Sequence, residues 1–181
     1  PYMRRFDYAF FVNPEIKNTF LIGGGGFAYP KFYVHTYENA EITVSEINTD
    51  VISVAFQYFG LHDLSEDETK RMHIVNEDGI DFLRESNKKF DLIINDAFTG
   101  KKEQRRDEES IQIIHDALHE KGIYIVNVPT ALSGPFAKKG NAFRKLLQNH
   151  FKHTVLLATQ EEKQPFEKQN VLMISSDSEL L

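Results

Sequence analysis

The sequence predicts an α/β protein with three layers, in which a mostly parallel seven-stranded sheet lies between two sets of helices and ends in an antiparallel hairpin. Three observations predict it. Short apolar runs alternate along the chain with segments of helical period, the pattern of βαβ crossovers. Those runs are rich in Ile, Val and Leu with little polar alternation, as expected of strands buried on both faces. The last two runs are separated by ten polar residues, "QEEKQPFEKQ", fewer than a parallel crossover needs.

The first strand is "TFLIG", Thr19 to Gly23, and it runs into four glycines, Gly23, Gly24, Gly25 and Gly26. A helix starting near Phe27 follows. Pro30 falls in its first turn, where the missing N–H costs no intrahelical hydrogen bond. The second strand, "EITVSEI" (Glu41 to Ile47), precedes a helix over Asn48 to Phe59. Val51, Ala55 and Phe59, flanked by Ile52 and Phe56, predict a core-facing stripe there, and Gly60 supplies the stop. "MHIVN" (Met72 to Asn76) and "FDLIIND" (Phe90 to Asp96) are the third and fourth strands. A helix over Asp107 to Glu120 carries Ile111, Ile114 and Leu118 inward, and "GIYIVNV" (Gly122 to Val128) is the fifth strand. A helix over Gly140 to His150 uses Phe143, Leu146 and Leu147 in the same way.

"HTVLLAT" (His153 to Thr159) and "NVLMISS" (Asn170 to Ser176) complete the sheet. The short link between them, with Pro165, predicts an antiparallel pair at a sheet edge. A reversed strand near the end of a parallel sheet characterises the Rossmann-like class I methyltransferase fold. A nicotinamide dehydrogenase, the third functional reading, is expected to keep its sixth strand parallel.

Composition narrows the function classes. At 181 residues the chain is expected to form one domain over 1–181. No apolar run reaches the ~20 residues that span a bilayer. The sequence contains no cysteine, which excludes thiolate metal sites and sets a cytoplasmic location as the expectation. The net charge of −6 argues against a nucleic-acid partner, which needs a basic face.

Candidate site residues gather at the ends of the first four strands. Gly23, Gly25 and Ala28 match G-x-G-x-x-A between a strand and a helix, a setting that lets backbone approach a nucleotide. Glu46 lies twenty residues after Gly26, at the spacing of an acid that accepts ribose hydroxyls; as a bare strand end it is merely solvated. Asp78 and Asp96 follow the third and fourth strands, and Asp78 also suits the N-cap of the next helix. Tyr29 and Phe98 are candidate walls of a nucleoside pocket. Asp107 to Glu109 would attract a cation, although Lys101, Lys102, Arg105 and Arg106 make the run a mixed, solvated one. His115 and His119 have i, i+4 spacing but no third ligand, so no metal site is predicted. Ser133 lacks a G-x-S-x-G setting, which leaves no hydrolase nucleophile.

The stretches "FLIGGGGFAYPKF", "ITVSEINTDVISVAFQYFGL", "MHIVNEDGIDFLRESNKKFDLIINDAF" and "KGIYIVNV" together resemble the spermidine synthase (polyamine aminopropyltransferase) family and its spermidine-synthase-like relatives. The resemblance implies a site for S-adenosylmethionine or decarboxylated S-adenosylmethionine as co-substrate. Gly23 to Gly26 would wrap it, Glu46 with Ile47 would hold the ribose side, and Asp78 with Gly79 would sit at the adenine. Asp96 would face the reacting centre as the catalytic residue. A small-molecule acceptor, such as a polyamine, and a homodimer are further implications. Two departures stand out. The family's GGGDG loop has an Asp where this chain has Gly26, and its D-S-S-D-P reads "DAFTG" here, with Thr99 at the second acid. By the same resemblance, the family's amino-terminal β-hairpin domain is expected to be absent or truncated before Pro1. The expected function is therefore aminopropyl or methyl transfer. The alternatives are a small-molecule methyltransferase and a non-catalytic nucleoside-binding protein.

Overall fold

The computed structural model describes residues 2–97 and 106–180. Seven strands form one sheet: β1 (Asn18–Ile22), β2 (Glu41–Ser45), β3 (Met72–Val75), β4 (Phe90–Asn95), β5 (Leu118–Thr130), β6 (His153–Ala158) and β7 (Gln169–Ser176). Their order is β3-β2-β1-β4-β5-β7-β6. The first five are mutually parallel, and β7 runs antiparallel between β5 and β6. The predicted fold class and its terminal hairpin are thus found. The helices are α1 (Tyr8–Val12), α2 (Ala28–Thr36), α3 (Thr49–Tyr58), α4 (Glu66–Arg71), α5 (Gly79–Glu85), α6 (Glu108–Asp116) and α7 (Lys138–His150). No described helix is long and apolar enough to cross a membrane.

The pleat sorts the sheet's side chains between two cores. On one face Leu21, Ile42, Val44, Leu92, Ile94 and Ile125 meet Phe6 and Ala9, Tyr29 and Tyr33 of α2, and Ala55 of α3. On the other, Phe20, Ile93, Tyr124 and Val126 meet Ile80 and Leu83 of α5, Ile111 and Ile114 of α6, and Leu147 of α7. Each fully buried side chain of this size contributes ~1.5–3 kcal/mol. The strand order reverses direction between β1 and β4, so the crevice of this open sheet lies beyond the carboxyl ends of those two strands.

Three expectations change. The helix expected over Asp107 to Glu120 stops at Asp116, because Leu118 leaves it to pair with Phe90 and extend β5. His115 and His119 therefore lie on a helix and a strand rather than on one helix face. The expected stripe is only partly covered: Ala55 is buried, but Phe56 and Phe59 are 45% and 50% exposed. Helical periodicity identifies an apolar face without fixing how much of it another element covers. Lastly, α4 carries no apolar stripe and was not expected from the sequence. It begins instead with a capping box, in which Ser65 accepts from the Glu68 N–H at 3.2 Å and the Glu68 carboxylate accepts from the Ser65 N–H at 2.9 Å.

Candidate functional site

The glycine turn after β1 is shaped by different needs at each position. Gly23 has φ +97°, and a Cβ there would stand 2.9 Å from the Ala97 Cα. The close approach joins the end of β1 to the end of β4. Gly24 is hemmed in by the buried Phe27 ring, whose atoms would lie 2.5 Å from a Cβ. Phe27 itself has φ +54° and immediately precedes α2. Full burial of its ring offsets the strain of a side chain in the left-handed region. Gly25 has φ +50° with nothing within 4 Å of a Cβ, and a Cβ at Gly26 would meet only the Phe59 ring, 3.9 Å away. The exposed half of the turn thus has open space above it.

Glu46 follows β2 and ties this turn down. Its Oε2 accepts from the Gly24 N–H at 3.0 Å and the Gly25 N–H at 3.2 Å, and Oε1 accepts from the Asn48 N–H at 3.0 Å. The Glu46 carboxylate is half-buried, while Ile47 beside it is 64% exposed. Beyond β3, Asp78 caps α5 by accepting from the Ile80 and Asp81 N–H groups at 2.9 and 3.2 Å. Gly79 is required by packing, since a Cβ would lie 2.8 Å from the Ile22 side chain and 3.2 Å from the Ser45 Oγ. The capping role weighed for Asp78 is therefore present.

Asp96 follows β4, with its N–H bonded to the Ile22 carbonyl at 3.0 Å. Its Oδ1 accepts from the Nδ2 of Asn127, a β5 residue with no exposed surface, at 2.9 Å. The Asn127 carbonyl in turn accepts from the Arg106 Nη2 at 2.9 Å. Burial pushes the Arg106 guanidinium below its usual pKa, while Tyr124 and Asp96 act in the opposite direction. Asn127 sits in an apolar strand and Arg106 in a mixed charge run, so nothing in the sequence singled out either. The available signal was an amide at the carboxyl end of a strand next to the one bearing Asp96.

Other expected residues lie elsewhere. Tyr29 does not wall the crevice; it is 3% exposed in the aromatic core, edge-on to Phe6, with its hydroxyl donating to Asp7 at 3.3 Å. The acids at the start of α6 are also engaged. Asp107 accepts from the Ser110 N–H at 2.8 Å, Glu108 pairs with His150 at 2.7 Å, and Glu109 pairs with Arg84 at 3.0 Å. His115 instead pairs with Asp177 at 3.0 Å. Among the described residues no cluster of three metal-ligating side chains is found. Phe98, Thr99, Lys101, Lys102 and Arg105 lie outside the described residues.

The family model for the spermine/spermidine synthase domain matches residues 7–136. The chain belongs to the spermine/spermidine synthase family. Within that family it is 36% identical over 117 residues to a polyamine aminopropyltransferase of Lachnospira eligens, an alignment that covers 63% of this chain and 40% of the relative. A second polyamine aminopropyltransferase, from Alkaliphilus metalliredigens, is 32% identical over 130 residues, 71% of this chain and 45% of the relative. The chain thus spans less than half the length of these two spermine/spermidine synthase family relatives. In fold it is similar to a probable spermidine synthase of Corynebacterium glutamicum, with a TM-score of 0.82, 18% identity, and coverage of 98% of this chain and 64% of that one.

Proposed function

We propose that this member of the spermine/spermidine synthase family is a transferase that binds a sulfonium nucleoside, S-adenosylmethionine or its decarboxylated form, and alkylates a small-molecule nucleophile. The observation that carries the reading is the junction of β1, β2 and β4. Glu46 holds the glycine turn through two N–H groups, and Asp96 is fixed by a buried amide at the neighbouring strand end.

The residues suit the bound group in three respects. Gly25 and Gly26 leave open space over the exposed half of the turn, and Ile47 offers an apolar face beside the Glu46 carboxylate. Glu46 retains acceptor capacity for ribose hydroxyls beyond the three N–H groups it already receives. A carbon next to a positive sulfur is already electrophilic, so the protein's task is alignment and charge management. Asp96 is the residue for that task. Its carboxylate orients the incoming nucleophile by accepting its N–H or O–H, takes the released proton, and stabilises the positive charge nearby. The Asn127 amide donates to Asp96 Oδ1 and so helps to fix the orientation of that carboxylate.

Methyl transfer is the second reading, and Gly26 favours it. The position that carries the family's loop Asp has no carboxylate here, and the neighbouring group is the Phe59 ring. A purely cationic tail would find no ion partner at that position, whereas the zwitterionic tail of S-adenosylmethionine brings its own carboxylate.

Calorimetric titration with S-adenosylmethionine, decarboxylated S-adenosylmethionine and methylthioadenosine tests the proposal. Preference for the decarboxylated form assigns aminopropyl transfer; preference for S-adenosylmethionine assigns methyl transfer. Folded protein that binds none of the three would end the nucleoside reading.

A further inference from the structure

We infer that Asn76 is a positioning residue for the nucleoside site, one that sets the pose from which the Glu46 carboxylate meets the ribose hydroxyls. The inference rests on the transferase reading above and adds a residue to it. The β2–β3 ladder ends at the pair Ser45 and Val75, and the Glu46 N–H makes one bond beyond it, to the Val75 carbonyl at 3.0 Å. The Glu46 carbonyl then accepts from the Asn76 Nδ2 at 2.7 Å, so a side-chain amide carries the ladder one bond further. The other end of the amide is engaged as well. Asn76 Oδ1 accepts from the Oγ1 of Thr49, in the first turn of α3, at 2.8 Å. A carbonyl only accepts, so the bond to Glu46 fixes which end of the amide faces it.

Apolar packing does not hold the chain just after Glu46: Ile47 is 64% exposed, and the buried residue of α3 is Ala55, two turns further on. Polar ties hold it instead. Besides the Asn76 clamp, Ser45 Oγ donates to the Glu77 carbonyl at 2.7 Å and joins the end of β2 to the turn that leads to Asp78 and Gly79. With its backbone bonded on both sides, Glu46 places Oε2 against the Gly24 and Gly25 N–H groups and Oε1 against the Asn48 N–H. Loss of the Asn76 donor frees the peptide after Glu46 to rotate, and the carboxylate then divides its time between this pose and others. A ligand that needs the pose binds more weakly in proportion to the fraction that retains it. A ligand without ribose hydroxyls does not need it.

The test compares two neutral nucleosides that differ only in those hydroxyls, methylthioadenosine and its 2′,3′-dideoxy counterpart, by calorimetric titration. Asn76→Ala is expected to weaken methylthioadenosine about threefold to tenfold, the size of one net hydrogen bond, and to leave the dideoxy nucleoside unchanged. Asn76→Asp is nearly isosteric and keeps the acceptor for Thr49, but it removes the donor to Glu46 and should show the same selective loss. In a Glu46→Gln background Asn76→Ala should weaken methylthioadenosine no further, because both residues act through one carboxylate. An Asn76→Asp protein that binds methylthioadenosine as wild type does overturns the inference. So does equal weakening of both nucleosides, the pattern of a merely structural residue, and so does a further loss in the Glu46→Gln background. Wild-type binding of methylthioadenosine keeps the transferase reading whichever way Asn76 falls. Wild-type protein that binds neither nucleoside ends that reading, and the inference with it.

Discussion

At Gly26 a new Cβ would touch only the Phe59 ring at 3.9 Å, whereas at Gly23 it would press on the Ala97 backbone from a conformation of φ +97°. The two positions should therefore answer mutation in opposite ways. Gly23→Ala is expected to cost ~1–3 kcal/mol from backbone strain alone, with the close contact adding to it, read by urea denaturation. Gly26→Asp should fold normally and raise affinity for decarboxylated S-adenosylmethionine relative to S-adenosylmethionine by ~tenfold or more in calorimetry, since the new carboxylate pairs with the ammonium that both tails carry but repels the carboxylate that only S-adenosylmethionine has. Unchanged discrimination would show that this position does not read the tail. Glu46→Gln keeps the shape but removes the charge from an acceptor of three N–H groups. It is expected to weaken methylthioadenosine ~tenfold or more, because hydrogen bonds to a charged partner are worth ~1.5–3 kcal/mol. The strand-end positions of Glu46, Asp78 and Asp96 were legible because each acid comes within three residues of the end of a strand-forming run. Asn127 was not legible, since a single amide inside "GIYIVNV" gives no periodic signal. Tyr29 was misplaced because an aromatic beside a glycine turn can face either the crevice or the core, and the sequence does not say which.

Among the elements, α4 shows what local polar chemistry does without an apolar face. It has no buried residue, yet its first turn is closed by the reciprocal bonds of Ser65 and Glu68. Backbone and side-chain hydrogen bonds from Ser65, together with His35, pull the Glu68 carboxyl down to about 2. A depressed folded-state value means this contribution is complete above the ordinary glutamate range near 4.5 and is lost as pH falls toward 2. Ser65→Ala is expected to cost ~0.5–2 kcal/mol at pH 7. Denaturation at pH 3 should show a smaller gap between the variant and wild type, and an equal gap at both values would exclude the capping box as the source. Strand positions were read to within a few residues because buried parallel strands leave unbroken Ile, Val and Leu runs. Helix ends were less legible. Leu118 continues the apolar spacing of α6, and only its pairing with Phe90 draws it into β5.

The sheet depends heavily on β7. Val171, Leu172, Met173 and Ile174 of β7 are all at most 1% exposed; Leu172 and Ile174 join one core and Met173 the other, and the strand pairs with β5 on one side and β6 on the other. Their burial contributes on the order of 6–12 kcal/mol, comparable with the ~5–15 kcal/mol by which a whole domain is stable. Removing residues 160–181 should abolish cooperative unfolding and near-ultraviolet circular dichroism; a truncated chain that still melts in one sharp transition would contradict this. The order of the sheet also matters during synthesis. Glycine turn, Glu46 and Asp96 have all been made by residue 96, but β6 can join the sheet only when β7, made after it, arrives to stand between it and β5. On the ribosome the nascent chain therefore holds its candidate catalytic residues well before it can close its sheet, and in that interval β5 presents an open, apolar edge for chaperones to cover.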